Sequence, residues 1–424
     1  MWIGRFLLFY LIFISFYHLF STFLVWKLGL NKFFVSLSKD ILWFSFVLIL
    51  FLLNWKNFLN FLKKYRFLIF LLVLYILVWI VVSFYRWGSF KQMLIGFKYD
   101  ILPFVIFITS LFVWYLLNIR REKLKVVFNI LVYFGIFLVL NFIIWILKIV
   151  FPGIFYSLWY WKIRNFLPNL PPPVYYTSGA WGLPRLSWLF WGPNEYGFFL
   201  LFFLSIFYYF AIKLDTFLKV LRRRFSDIAR WYFSKLYFWD LINGFFTLSR
   251  AYLLWVIIES IIAFRKKLVD KLIWTTIWFI ILFIGLFVLN KARPLSTFDH
   301  FALTKLGILY VKDNPLWYGL WTAWPSAFYT ANTNNLREIK KKVPENTYLQ
   351  IAIDMGVIGV ILFVVILFYI IKLWLVPKNS LENNLKRYSI YGFIWLLVAG
   401  FFLHIFGDSM VVYFIFIWLW LILW

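Results

Sequence analysis

The chain contains no cysteine, which excludes disulfide staples and thiolate metal centres. Acids are scarce as well: 16 Asp and Glu stand against 43 Lys and Arg, a formal charge of +27. The three histidines, His18, His300 and His404, are too scattered for a metal cluster. An excess of cations on one soluble face would suggest nucleic acid. Here the Lys and Arg lie in short runs between apolar segments, so membrane topology and lipid headgroups account for them and no nucleic-acid partner is expected.

With so little charge, the composition is dominated by apolar groups. Hydrophobic residues make up 65% of the 424 positions and aromatics 25%, and the mean hydropathy is +0.87. Soluble domains are nearer half apolar, so the chain is an integral membrane protein. Trp and Tyr gather near segment ends, where an amphipathic ring gains at headgroup depth, and many Phe are expected to face lipid. A span needs roughly 20 apolar residues. About twelve such runs occur, near 5–28, 35–53, 67–82, 93–117, 126–150, 195–212, 236–249, 251–264, 272–290, 347–375, 388–403 and 409–424. None shows the alternation of a barrel strand, so the expected fold is an all-α polytopic helix bundle forming a single membrane domain over 1–424. The first run is too long, and lacks the small-residue exit, for a cleaved signal; it reads as a span.

Basic residues set the orientation. One set of loops carries roughly 22 Lys and Arg in about 60 residues, the alternate set roughly 14 in about 120. The first set is therefore expected inside, leaving two long loops, 151–194 and 291–346, facing outward. The first loop is rich in Pro and Trp and too apolar for a free linker, which predicts a segment lying along the membrane surface. In the second, Phe298, Phe301, Leu306 and Leu309 stand at helical spacing before Asn314 and Pro315, predicting an interfacial amphipathic helix.

Four features fall on that outward face. Arg185 lies in GLPRLSWLFWGPNEYG, Arg250 in TLSRAYLL between two short apolar runs, PLWYGLW follows Asn314, and Glu345 with Asn346 opens the tenth run. The three charged residues have two open readings each. Arg185 is an interfacial snorkeller or an anion ligand; Arg250, costly near a span, is structural or lines a wet site; Glu345 complements the helix dipole or takes a proton. His300 reads as a polar interfacial side chain, and His18 and His404 likewise. Asp100, Glu195, Asp240 and Glu259 are acids in or beside spans that pair with nearby cations in the simplest reading. The run Lys340, Lys341, Lys342 is a solvated or headgroup-binding patch.

Three blocks, RLSWLFWGPNEYGFFL, TLSRAYLLWVIIESII, and NPLWYGLW followed by ENTYLQIAIDMGVIGVILF, resemble the bacterial O-antigen ligase and O-antigen polymerase family. The family's ligases carry a His, a small polar residue, then two spaced glycines; the same frame here is Glu345, Asn346, Gly356 and Gly359. Ser249, Arg250 and Leu254 match its Ser-Arg block, and His300, with Arg293 nearby, stands where the family often has Arg. Polymerases more often carry an acid at the first site, so Glu345 favours a repeat-unit polymerase over a ligase.

The resemblance implies a bacterial cytoplasmic-membrane enzyme with its site facing outward. It would transfer an oligosaccharide from undecaprenyl diphosphate to a sugar hydroxyl on a glycan or lipid-linked acceptor. Glu345 and Asn346 would act on the acceptor, and Arg185, Arg250, Arg293 and His300 would hold the diphosphate. With no Asp-x-Asp pair or clustered acids in the outer loops, inverting transfer without a metal or other cofactor is expected. A glycolipid flippase or transporter is the rival class, and it predicts paired repeats and midplane polar groups, neither of which stands out in the sequence.

Overall fold

In a computed structural model of the chain, the structure describes residues 2–85, 93–94, 96–119, 123–158, 160, 171–174, 184–187, 193–220, 235–247, 249, 252–253, 256, 276, 280, 287, 294–316, 346–374, 381–401 and 409–422. It is helical almost throughout these residues, with no strand among them. The helices are α1 (Trp2–Thr22), α2 (Lys32–Leu53), α3 (Trp55–Lys64), α4 (Arg66–Tyr85), α5 (Leu102–Ile119), α6 (Lys123–Val150), α7 (Pro152–Ser157), α8 (Pro193–Val220), α9 (Leu236–Thr247), α10 (Pro294–Asp313), α11 (Thr347–Trp374), α12 (Leu381–Ala399) and α13 (Ser409–Ile422).

Six helical segments among the described residues are long and apolar enough to cross a membrane: Trp2–Lys27, Phe34–Leu53, Arg66–Tyr85, Phe97–Ile119, Val126–Val150 and Thr347–Leu373. They coincide with six of the twelve expected runs. Of the others, the runs at 195–212, 236–249, 388–403 and 409–424 overlap α8, α9, α12 and α13, with shorter apolar helices at Tyr196–Phe207 and Ser389–Ala399, and those at 251–264 and 272–290 lie largely outside the described residues.

Local chemistry explains where helices begin and end. Pro152, Pro193 and Pro294 each start one, since a first-turn residue has no N–H partner to lose. α1 runs through a π turn, Phe23–Lys27, and stops at Gly29, whose φ of 69° lets the Leu30 N–H turn back to the Leu24 carbonyl at 3.1 Å. α10 ends as its Asn314-Pro315 stop predicts. Of its expected apolar stripe, Leu306 is half-buried and Leu309 exposed, and the side chains of Phe298 and Phe301 lie outside the described residues. Hydroxyls inside apolar helices turn to their own backbone, as lipid offers no other acceptor: Ser15 bonds the Leu11 carbonyl at 2.7 Å, Ser83 that of Trp79 at 2.8 Å and Thr109 that of Val105 at 2.7 Å.

The helices group into two compact units. In the first unit (1–43, 124–297, 380–396) α8 packs against α9. Its core is largely phenylalanine: Phe134 meets Phe203 at 4.5 Å between ring centres, and Trp145 meets Phe246 at 4.8 Å. Phe therefore fills the interior as well as covering the outside, where Phe34, Phe70 and Phe84 are exposed. Within the long loop 151–194, Phe155, Tyr160 and Val174 form a buried cluster against Leu19 and Ile144, so these parts fold onto α1 and α6.

In the second unit (44–123, 298–379, 397–424) α4 packs against α11 and α5 against α13. Trp114 donates its indole N–H to the Ile417 carbonyl at 2.7 Å, which ties α5 to α13. α11 is broken at Gly356, with φ 73° and ψ −178°, a region essentially closed to other residues. The break releases the Val357 N–H, which bonds the Pro315 carbonyl at 3.0 Å, and a Cβ at 356 would overlap the Leu316 carbonyl. The NPLW and Gly-x-x-Gly blocks thus meet across this kink. Gly356→Ala is expected to cost about 2 kcal/mol or more, whereas Gly153→Ala, with nothing within 4 Å of the new carbon, leaves thermal unfolding of the purified protein unchanged.

Candidate functional site

Two polar clusters stand out, one in each unit. In the first unit, Arg185 is 4% exposed, and its block pairs with the end of α9, the Leu186 N–H bonding the Phe246 carbonyl at 2.8 Å. The guanidinium Nε–H donates to the Thr247 carbonyl at 2.9 Å, and Nη2 donates to Asn194 Oδ1 at 3.0 Å. Thr247 is the last residue of α9, where carbonyls lack intrahelical partners and the helix dipole is negative, so a cation is favoured there. Both of these partners are neutral, and together they fix two edges of the fork.

Ser249 stands beside the same helix end: its N–H bonds Thr247 Oγ1 at 3.2 Å, and a Cβ on Gly197 would lie 3.1 Å from its side chain. The Arg185 block, the PNEYG start of α8 and Ser249 are thereby brought together. Arg250, the residue after Ser249, lies outside the described residues. Beneath them, Tyr196 donates to Asn243 Oδ1 at 2.9 Å, and Tyr252 donates to Asp240 Oδ2 at 2.8 Å across Gly244, on which the Tyr252 ring rests. Asp240 thus accepts from a phenol.

In the second unit, Asn346 caps α11. Its Oδ1 accepts from the N–H groups of Tyr348 at 2.9 Å and Leu349 at 3.0 Å, and its Nδ2 donates to the Phe401 carbonyl at 2.7 Å. The Thr347 N–H bonds the Gly400 carbonyl at 2.9 Å and the Tyr348 hydroxyl bonds that of Leu397 at 2.8 Å. The cap thus satisfies carbonyls at the end of α12 while fixing the first turn of α11. The sequence predicts that Asn346 orients the sugar or Glu345; in the structure its amide holds the first turn of α11 and the Phe401 carbonyl. Glu345 itself, Arg293 and the His300 side chain lie outside the described residues.

Below the cap, Thr347, Gln350 and Asp354 form a polar stripe, all buried, on one face of an otherwise apolar helix. Thr347 and Gln350, with Tyr75 and Asp100, line a small cavity of about 30 Å³, the space of one water. Asp100 accepts from the Trp79 indole at 3.3 Å and feels the charge of Asp354; the Tyr75 hydroxyl makes no hydrogen bond among the described residues. Asp354 and Gln350 escaped the sequence reading. Their signal is the i, i+3, i+7 spacing with Thr347.

His18 and Lys148 belong to neither cluster. Lys148 is buried with its Nζ 4.4 Å from the Tyr160 ring centre and 5.5 Å from that of Phe155, and His18 stacks on Tyr160 at 6.3 Å. His18 is therefore an interior side chain, not the interfacial one expected. Burial pushes the Tyr160 phenol well up, partly offset by a hydrogen bond with Thr22, so it stays neutral.

No family model, curated protein or solved structure matches this chain. Fold and composition together define an all-α, multi-pass membrane protein.

Proposed function

We propose that this protein is an inverting membrane glycosyltransferase of the O-antigen polymerase and ligase kind, acting as a repeat-unit polymerase. Its donor would be an oligosaccharide on undecaprenyl diphosphate and its site would face outward, as the loop charge bias favours. The observation that carries the reading is the fixed guanidinium of Arg185, held by Thr247 and Asn194 beside the Ser249-Arg250 block. In the reaction, the acceptor hydroxyl oxygen attacks the anomeric carbon as the bond to the diphosphate oxygen breaks. The lipid diphosphate leaves with the electron pair and the hydroxyl proton passes to Glu345. Negative charge grows on the leaving group, and a guanidinium fork already in place stabilises it without reorganising.

A second reading rests on Asp100 and Asp354. Carboxylates buried within apolar helices are costly and commonly mark ion or substrate pathways, which favours a coupled transporter or flippase. One reconstitution separates the possibilities. Purified protein in liposomes with a single lipid-linked repeat unit is expected to yield a ladder of glycan lengths and released lipid diphosphate. Product only after adding a second acceptor identifies a ligase. Movement of the glycolipid between leaflets with no new glycosidic bond identifies the transporter.

A further inference from the structure

α11 does not run straight through its kink. Tyr348 and Phe363 bring their ring centres to 5.9 Å, and a Cβ on Gly359 would lie 3.6 Å from the Ile351 side chain. A straight helix rises about 1.5 Å per residue and would hold those two rings roughly 22 Å apart. The chain therefore folds back at Gly356, and a short arm, 347–355, lies against a long one, 357–374. The stripe Thr347, Gln350 and Asp354 belongs to the short arm. Within a membrane a broken helix is tolerated where it is buried in protein or lines a cavity, and such breaks recur at ion sites.

The cavity of about 30 Å³ lies between the arms. It takes Thr347, Gln350 and Ile351 from the short arm and Phe363 and Leu367 from the long one, while Tyr75 of α4 and Asp100 of the π turn Phe97–Ile101 close it. Each polar side chain in this lining can offer an oxygen: the Asp100 carboxyl, the Tyr75, Tyr99 and Thr347 hydroxyls and the Gln350 amide. Asp100 is 8% exposed and Tyr75 1%. The Tyr75 hydroxyl feels the charge of both Asp100 and Asp354 and makes no hydrogen bond among the described residues. A buried phenol without a bond is costly, and an occupant of the cavity would supply its partner.

Charge and size restrict that occupant. Asp100 is the one ionisable acid of the lining, with Asp354 adding its field from beyond it, and a carboxylate within apolar helices calls for a compensating cation. Hard cations take oxygen ligands. One carboxylate among neutral oxygens balances a single positive charge, and the space of one water leaves no room for the waters that magnesium keeps.

We propose that the fold-back of α11 builds a binding site for one dehydrated, sodium-sized monovalent cation, held by the Asp100 carboxylate with the oxygens of Tyr75, Thr347 and Gln350. The proposal does not rest on the glycosyltransferase reading, in which none of these residues touches donor or acceptor. On the transporter reading the same cation would be the coupling ion.

The test measures binding of radiolabelled sodium to the purified full chain in nanodiscs of zwitterionic lipid, with choline chloride holding the ionic strength constant. Saturable binding of one sodium per chain is expected, displaced by unlabelled sodium and not by choline. Asp100→Asn abolishes it, and Tyr75→Phe and Gln350→Leu each weaken it several-fold. Asp313→Asn, at the exposed end of α10, leaves it unchanged. Sodium is also expected to raise the unfolding temperature of the parent with concentration, and not that of Asp100→Asn. Where Asp100→Asn does not fold, Tyr75→Phe decides, since it keeps the ring packed on Phe104 and removes only the hydroxyl. A folded parent that binds no sodium overturns the proposal, as does binding of calcium in its place. So does sodium binding that survives Asp100→Asn, or that is unchanged in both Tyr75→Phe and Gln350→Leu. None of these results bears on glycan transfer, which is measured separately.

Discussion

Arg185→Ala is expected to lower the rate of glycan transfer by about 10² to 10³-fold, the usual consequence of removing one fixed donor from a developing anion. Arg185→Lys recovers part of it, because an ammonium restores the charge and not the planar fork. The guanidinium also bonds the Thr247 carbonyl, so a loss of activity alone could come from a loosened α9 end. Two readouts separate these causes. Asn194→Ala and Arg185→Ala both disturb the local hydrogen bonds, and both will lower thermal stability by about 1 to 3 kcal/mol if the arrangement is structural. Only the loss of the cation should depress kcat with donor at saturation while leaving KM for the acceptor unchanged. Wild-type kcat in a folded Arg185→Ala variant would assign the residue to structure and remove the main support for transfer from a lipid diphosphate.

The parts of this protein that composition controls are legible without a structure. Runs such as Arg66–Tyr85 and Val126–Val150 are apolar all round, and lipid allows such a run little choice but a helix. α3 was hidden because half its residues are polar, and its 54–66 segment resembles a loop until Phe58, Phe61, Leu62 and Tyr65 are set on one face of a helix. The Arg185 site shows a different limit. The residue is conspicuous, but its partner Thr247 is 62 positions away, and no local pattern announces that the carbonyl at the end of α9 will receive a guanidinium. Asp354 was missed for the opposite reason. A single acid inside a long apolar run is easily passed over, although its spacing from Thr347 and Gln350 contains the stripe. The Asn346 cap was half legible: the residue type and its place before an apolar run announce a cap, and the carbonyl it reaches at Phe401 does not follow from spacing.

That cap bears on Glu345, the residue before it, for which the second large effect is expected. If Glu345 takes the acceptor proton, Glu345→Gln keeps the shape and hydrogen-bonding capacity and removes the basicity, and a contribution on the order of 10² to 10⁴ in rate disappears. Position matters to this argument. The α11 N-terminus is held by Asn346, Thr347 and Tyr348 against the end of α12, so the residue that follows Glu345 is anchored. Glu345→His is expected to be the best-tolerated change, since imidazole, with an ordinary pKa of about 6.5, is itself a base at neutral pH. Its activity should fall as pH drops through that value, a dependence the parent carboxylate would not show in the same range. If Glu345 only complements the dipole, Gln and Asp shift stability by about 1 kcal/mol and turnover stays near that of the parent. Transfer rates for the Gln, His and Asp variants at saturating donor, measured beside thermal unfolding, decide between the two. A Gln variant that is fully active would end the catalytic assignment and leave the acceptor hydroxyl to be deprotonated by solvent, with the fixed cation at Arg185 supplying the chemistry's main assistance.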